Sequence, residues 1–116
     1  MKRYYVLAAI AMTGILLSYC HGPKKAMAST TKSTYQDNLL PVIVANCSPC
    51  HIPSKGGNKT AYDNYANVST HIDEMINRIQ LNPTDKGFMP FKKTAKLSDS
   101  TIAVFKQWKD DGMVEK

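Results

Sequence analysis

The most constraining feature of this chain is the five-residue segment Cys47-Ser48-Pro49-Cys50-His51. Two thiols with this spacing, followed directly by an imidazole, form the C-x-x-C-H sequence to which a c-type haem is attached. Each thiol can add to one vinyl group of the haem, and the histidine is then held where it can coordinate the iron. The segment therefore predicts one covalently bound haem, with Cys47 and Cys50 as attachment points and His51 as an iron ligand.

Two other kinds of site use a C-x-x-C pair, and the rest of the chain favours neither. A redox-active disulfide is expected beside a βαβ pattern of buried strands. No run of β-branched residues is long enough to supply such a sheet. A structural zinc ion takes four ligands, and the remaining cysteine and histidines are Cys20, His21 and His71. A zinc ion would therefore be under-coordinated.

The first 28 residues have the composition of an export signal or a membrane-anchoring leader. Two basic residues at positions 2 and 3 precede a mostly apolar run that extends to Tyr19, which is short for a membrane span. Two processing sites remain as alternatives. One is cleavage after the A-x-A sequence Ala26-Met27-Ala28. The other is lipidation of Cys20, which follows a sequence similar to a bacterial lipobox and would give a membrane anchor.

The positive charge of the chain is concentrated in this leader. The whole sequence has a formal net charge of +6, but four of its 15 basic residues precede Ser29, which leaves 11 basic against 9 acidic residues. A strongly basic folded domain is the usual sign of nucleic-acid binding. The near balance after Ser29 therefore argues against a nucleic-acid partner.

Residues 29–116 are enough for one small domain, whose core would be marginal without further stabilisation. A covalently fixed haem would give that domain a large apolar centre. We expect residues 29–35 to form a mobile polar tail. We expect residues 36–116 to form one all-α mono-haem domain of three to five short helices.

Local signals predict where the helices begin and end. Asn38 is expected to cap the first helix, which delivers the cysteines, and Thr60 and Thr70 are expected to cap two short helices. In the later of these, apolar residues recur at i, i+3, i+4 and i+7, the spacing of a buried helical stripe; they are Ile72, Met75, Ile76 and Ile79.

The last helix has the clearest signals. Ser98 is expected as its N-cap and Gly112 as the glycine just beyond its C-terminus. Its apolar stripe is predicted to consist of Ile102, Phe105 and Trp108.

A second chemical feature lies in the loop predicted between these helices. The segment Gly87-Phe88-Met89-Pro90-Phe91 places a methionine between aromatic residues and directly before a proline. A thioether is a soft ligand suited to the sixth position of a haem iron, so Met89 is predicted to coordinate the iron opposite His51. Phe88 or Phe91 could shield the haem from water. Met75 and Met113 lack this loop context, and gap filling in the core is the usual role of methionine.

Other side chains could contact the haem. Tyr62, Tyr65, Arg78 and Trp108 are candidates for hydrogen bonds to its propionates, with Arg78 preferred because a guanidinium pairs well with a carboxylate. His71 is an alternative to Met89 as iron ligand, and such bis-histidine ligation would lower the reduction potential. We expect His71 instead to face solvent near the start of a helix.

Together these features resemble the class I cytochromes c, and in particular the small mono-haem domains of bacterial periplasms. The resemblance lies in C-x-x-C-H after a first helix, Gly-Phe-Met-Pro-Phe in a later loop, and Leu97-Ser98-Asp99 opening a final helix that contains Trp108. It covers about residues 36–113. It implies a small cytochrome c-like fold in which the first and last helices pack crosswise and the haem c lies in the crevice.

The resemblance also implies residue roles and a location. Cys47 and Cys50 would bind the haem covalently, and His51 and Met89 would be the axial ligands of its iron. Bacteria attach such haems outside the cytoplasmic membrane, which agrees with the export signal. We therefore expect a periplasmic protein, soluble or tethered to a membrane.

The leading functional hypothesis is electron transfer rather than enzymatic catalysis, because an iron with both axial positions filled has no open site for a substrate. Four lysines near Met89 could surround the haem edge and guide docking of a redox partner protein; they are Lys86, Lys92, Lys93 and Lys96. Two alternatives remain. One is a haem-based module that binds or senses a small gas after Met89 leaves. The other is a non-catalytic electron-entry subunit of a larger oxidoreductase.

Overall fold

The computed structural model describes residues 31–116; the predicted leader and its two processing sites lie outside the described residues. Within this range the chain is all-α, as predicted, with three α-helices and no β-strand. The helices are α1 (Leu40–Cys47), α2 (Tyr65–Gln80) and α3 (Asp99–Asp110). A π-helical turn, Tyr35–Leu39, leads directly into α1, and a 3₁₀ turn, Pro53–Lys55, follows it. None of the helices between residues 31 and 116 is long and apolar enough to cross a membrane.

The first helical segment begins at Tyr35, and its N-cap is Thr34 rather than the predicted Asn38. The Thr34 hydroxyl accepts a hydrogen bond from the N–H of Asp37 at 3.2 Å. In return, the Asn38 side-chain oxygen accepts from the N–H of Thr34 at 2.8 Å. This reciprocal pair resembles a capping box, so Asn38 supports the cap from inside the helix.

The boundary predicted at residue 36 also lies too late. Tyr35 is only 4% exposed and belongs to the core. Thr34 forms a parallel β-bridge with Val114, and the Tyr35 N–H donates to the Val114 carbonyl at 2.8 Å. The N–H of Ser33 donates to the Asp111 carboxylate at 2.7 Å. The last residues of the predicted mobile tail are therefore fixed to the C-terminal segment.

A single helix of 16 residues, α2, replaces the two short helices predicted with caps at Thr60 and Thr70. Its N-cap is Asn64, whose side chain accepts from the N–H of Asn67 at 3.1 Å. Thr70 lies inside the helix and donates its hydroxyl to the carbonyl of Ala66, a bond that threonine commonly makes in mid-helix. The predicted apolar stripe is otherwise confirmed: Ile72, Met75 and Ile79 are buried, and Ile76 is partly buried. Val68, one turn earlier in the same helix, is buried as well.

The predicted signals of α3 are confirmed at both ends. Ser98 caps its start by accepting from the N–H of Thr101 at 3.2 Å. After its end, Gly112 adopts a φ of 92°, and the N–H of Met113 donates to the carbonyl of Trp108 at 2.9 Å. This is a Schellman arrangement, in which glycine takes the left-handed position without a Cβ clash.

The core forms where α2, α3 and the π-helical turn pack together. Phe105 and Trp108 of α3 are fully buried. The Trp108 ring lies 6.1 Å from that of Tyr35 and 6.2 Å from that of Tyr65, between centroids. Tyr35, Tyr65 and Trp108 therefore form one aromatic cluster at the core.

Candidate haem site

A cavity of about 620 Å³ opens between the C-x-x-C-H segment, α2 and the loop before α3. Its size is within the range of pockets that bind small ligands and cofactors. Cys47, Cys50, His51 and Met89 all border it. The fold thus brings the two sequence motifs, which were identified separately, to a single space.

The end of α1 presents the cysteines to this cavity. Cys47 is the last residue of α1, and the chain then turns so that the His51 N–H donates to the Cys47 carbonyl at 3.1 Å. The Ser48 hydroxyl donates to the carbonyl of Val44 at 2.6 Å. These bonds use carbonyls at the helix C-terminus that lack helical partners, and they hold the motif against the helix.

Both thiols in the cavity are free. Cys50 is exposed, whereas Cys47 is partly buried, and burial raises the pKa of the Cys47 thiol to about 11. Cys47 is therefore a neutral thiol at pH 7. A redox-active C-x-x-C pair needs a thiolate with a lowered pKa, so the environment of Cys47 argues against that alternative.

The His51 ring is oriented for metal coordination by one nitrogen. Its Nδ1 lies 2.8 Å from the carbonyl oxygen of Thr60. Because a carbonyl only accepts, Nδ1 carries the proton and Nε2 keeps the lone pair that a metal requires. Metal-binding histidines commonly have this second hydrogen bond, which fixes their tautomer. The Tyr62 ring also contributes to the orientation of His51. The two rings are stacked, with centroids 4.3 Å apart and planes at 8°.

Met89 borders the same cavity and is attached to α2 through its backbone. Its N–H donates to the Arg78 carbonyl near the end of α2 at 3.2 Å, and Pro90 after it is buried. Met75 also borders the cavity, but it lies on α2 within the buried core stripe. Met113 does not border it. Met89 therefore borders the cavity from a loop, as predicted. Met75 is a second methionine that borders the cavity, but it lies on a helix.

Three of the other predicted haem contacts do not reach the cavity. The Tyr65 hydroxyl donates to the carbonyl of Met113 at 3.0 Å, and the Trp108 indole N–H donates to that of Val114 at 2.8 Å. Both polar groups thus tie the C-terminal segment to the core, and neither residue borders the cavity. Phe88 is buried and does not border the cavity either, so the predicted shielding by Phe88 or Phe91 depends on Phe91. Phe91 does border the cavity and is 67% exposed.

A polar wall of the cavity is formed by one face of α2. Arg78 borders the cavity and pairs with Glu74 at 2.8 Å. His71 borders the cavity as well, with 39% of its side chain exposed and its Nδ1 3.8 Å from Glu74. The expectation that His71 only faces solvent is therefore too simple. Arg78 and Tyr62 are the predicted propionate partners that border the cavity.

Basic side chains lie at the mouth of the cavity. Lys93 borders it, and so does Lys59, which the sequence analysis did not include. The Lys92 ammonium lies 5.6 Å from the centroid of the Phe91 ring. The remaining members of the predicted lysine cluster, Lys86 and Lys96, are exposed but do not border the cavity.

Gly57 is a supporting residue that the sequence analysis missed. A Cβ at this position would lie 2.6 Å from the Cys50 carbonyl oxygen and would also overlap the carbonyl oxygen of Pro49. The loop after the motif therefore packs directly on the motif's backbone. Only a residue without a side chain permits that approach.

Replacing Gly57 with Ala should displace the C-x-x-C-H segment and destabilise the domain by about 1–3 kcal/mol, as overpacking does. Gly56→Ala is the matched control, since a Cβ at Gly56 meets nothing within 4 Å and only the φ of 84° is unfavourable. Urea unfolding of both variants and the yield of attached haem provide the test. Equal haem yields from the two variants would show that contact at Gly57 does not position the motif.

The donor set fits a c-type haem. Two free thiols, the imidazole of His51 and the thioether of Met89 border one cavity, whose other walls include the apolar side chains of Met75, Ile79 and Phe105. Across residues 31–116 no three or more His, Cys, Asp or Glu side chains are grouped to hold a bare metal ion. No protein-family model, curated protein or solved structure matches this chain.

Proposed function

We propose that the domain of residues 31–116 is a mono-haem cytochrome c domain that carries one electron between redox proteins. The observation that carries this proposal is the convergence of Cys47, Cys50, His51 and Met89 on one cavity. The all-α architecture with a first helix that ends at the C-x-x-C-H segment supports a small cytochrome c-like fold. The export signal predicted at residues 1–28 supports a periplasmic location, soluble or tethered to a membrane.

The residues have separate roles in this proposal. Cys47 and Cys50 hold the haem through thioether bonds, while His51 and Met89 coordinate its iron. When bound, the haem supplies an iron that alternates between the ferrous and ferric states. The protein fixes the His51 tautomer through Thr60 and holds Met89 against α2 through the Arg78 carbonyl.

This anchoring favours a carrier over an enzyme or a gas sensor. A substrate or a gas needs an open position on the iron, and Met89 would have to leave to provide one. The Met89 backbone is bonded to a helix and followed by a buried proline. Electron transfer, which needs no open position on the iron, is therefore the chemistry that we propose for the site.

A potentiometric titration of the matured protein tests this function. We expect one reversible one-electron transition, followed through the visible spectrum of the haem, with the same midpoint in the oxidative and reductive directions. A protein that has no haem or that shows no reversible transition would contradict the proposal.

The basic mouth of the cavity should speed electron transfer with anionic partners. Lys59, Lys93 and the exposed Phe91 border the cavity, and the Lys92 ammonium lies 5.6 Å from the centroid of the Phe91 ring. We propose an acidic redox protein as the partner, because opposite charges steer association and an exposed aromatic ring supplies apolar contact. Charges separated by more than a Debye length of about 8 Å at physiological salt are largely screened.

We therefore expect the second-order rate of oxidation of the ferrous protein by ferricyanide, an anionic probe, to fall as ionic strength rises. The double variant Lys92→Glu/Lys93→Glu should slow this reaction about tenfold at low salt, the low end of steering effects. Lys106→Glu/Lys116→Glu has the same change in charge away from the cavity and is the control. Equal rates for the two variants in stopped-flow measurements would show that the partner surface lies elsewhere.

A further inference from the structure

Residues 59–62 run alongside the haem-binding motif, and we call them the 59–62 strap. The Lys59 N–H donates to the Cys50 carbonyl at 3.0 Å, and the Tyr62 N–H donates to the His51 carbonyl at 2.9 Å. Between them, the Thr60 carbonyl accepts from the His51 ring at 2.8 Å. The strap is thus bonded to the backbone and to the side chain of the predicted iron ligand.

The strap restrains the His51 ring in two directions. The hydrogen bond to Thr60 acts at one edge of the ring. It leaves the ring able to rock about the N–H···O direction. The Tyr62 ring covers a face of the imidazole, with centroids 4.3 Å apart and planes at 8°. Two parallel rings in contact oppose that rocking, because tilting either ring separates or overlaps their atoms.

Tyr62 is itself held in place. Its carbonyl accepts a hydrogen bond from the Tyr35 hydroxyl at 3.0 Å, and Tyr35 lies in the core. Burial and the nearby carboxylate of Glu74 raise the pKa of Tyr62, so the phenol is neutral at physiological pH. The imidazole is therefore covered by a neutral ring whose backbone is bonded both to the core and to His51.

We propose that Tyr62 is a positioning residue that sets the plane of the His51 imidazole and thereby tunes the electronic asymmetry and the reduction potential of the haem iron. Groups that orient a metal ligand without touching the metal commonly tune the site in this way. The plane of an axial imidazole decides which iron orbitals it overlaps, and this overlap controls how unpaired spin spreads over the haem. The role of Tyr62 toward the iron rests on the proposed haem function.

The test compares Tyr62→Phe, which keeps the stacked ring, with Tyr62→Leu, which removes it. The matured, haem-loaded proteins are compared by proton NMR of the ferric haem methyl groups and by their midpoint potentials. Tyr62→Phe should keep the wild-type order and spread of the methyl signals and nearly the same potential. Tyr62→Leu should change the spread and shift the potential, while the haem stays covalently attached. A wild-type methyl pattern in Tyr62→Leu would overturn the proposal.

A matched control is Tyr65→Leu, which removes another aromatic ring packed at the core. The Tyr65 hydroxyl donates to the Met113 carbonyl, and Tyr65 does not border the cavity. This variant should lower the free energy of unfolding and leave the methyl pattern unchanged. The same altered pattern in Tyr65→Leu would mean that any loss of packing produces it, which would overturn a specific role for Tyr62.

If Tyr62→Leu does not acquire haem, a measurement on the wild-type protein still tests the proposal. In the ferrous protein, ring protons of Tyr62 and His51 should show a nuclear Overhauser effect, and its absence would overturn the proposal. Wild-type protein without covalent haem would instead refute the proposed function. The two failures are therefore distinguishable.

Discussion

Replacing Met89 with Ala should open the sixth position of the iron. Met89 borders the cavity from a loop bonded to α2, and alanine has no donor atom to replace its sulfur. We expect the variant to bind carbon monoxide readily and to lose the weak absorption near 695 nm that marks ferric iron–methionine bonds in the cytochromes c that this chain resembles. Its reduction potential should fall, since Met/His ligation raises the potential of the iron.

Met75→Ala is the matched control, because Met75 also borders the cavity but is 5% exposed and lies in the α2 stripe. Its loss should destabilise the domain by about 2–5 kcal/mol, as for other buried methionines, and leave the absorption band in place. Loss of the band in Met75→Ala together with its retention in Met89→Ala would show that Met75 is the ligand. Carbon monoxide binding by the unsubstituted ferrous protein would favour the gas-binding alternative.

The double variant Cys47→Ala/Cys50→Ala should lose covalent attachment completely. Both thiols are free and border the cavity, so each is available for one thioether bond. Acid–acetone extraction should leave haem with the unsubstituted polypeptide and remove it from the double variant. The variant should also be much less stable, since a small domain without its apolar cofactor keeps only a marginal core.

Ser48→Ala is the control variant. It distinguishes the loss of the thioether bonds from a general disturbance of the turn that contains both cysteines. The Ser48 hydroxyl donates to the Val44 carbonyl, and no bond to the haem is assigned to it. This variant should retain covalent haem. Haem that stays with the double cysteine variant through extraction would contradict the assigned attachment sites.

Local signals predicted α3 well but misplaced the earlier caps, since the N-caps are Thr34 and Asn64. Ser98 and Gly112 mark the ends of α3 because capping bonds join residues three to five positions apart. The stripe of α2 was readable for the same reason. The start of the domain was predicted too late because its partners are distant in sequence: the Tyr35 N–H donates to the Val114 carbonyl and the Ser33 N–H to the Asp111 carboxylate. The residues just before the first helix are polar in sequence, and their polarity concealed that they form an ordered segment.

The site was predicted unevenly for related reasons. Cys47, Cys50 and His51 are adjacent in sequence, so their chemistry needed no fold. The cavity brings Met89 beside them, as its loop context suggested. No local pattern could show that Gly57 contacts the motif backbone or that Tyr62 stacks on His51. Both contacts depend on the path that the chain takes after His51. Tyr65 was assigned to the haem by residue type, whereas its hydroxyl is satisfied by Met113.

The most direct test of the central claim is the intact mass of this protein under denaturing conditions, after expression in a bacterium that exports the chain and attaches c-type haems. The account predicts the mass of the processed polypeptide plus one haem, with the haem carried on the peptide that contains Cys47 and Cys50. The mass of the polypeptide alone, from protein exported with a functioning attachment system, would contradict it.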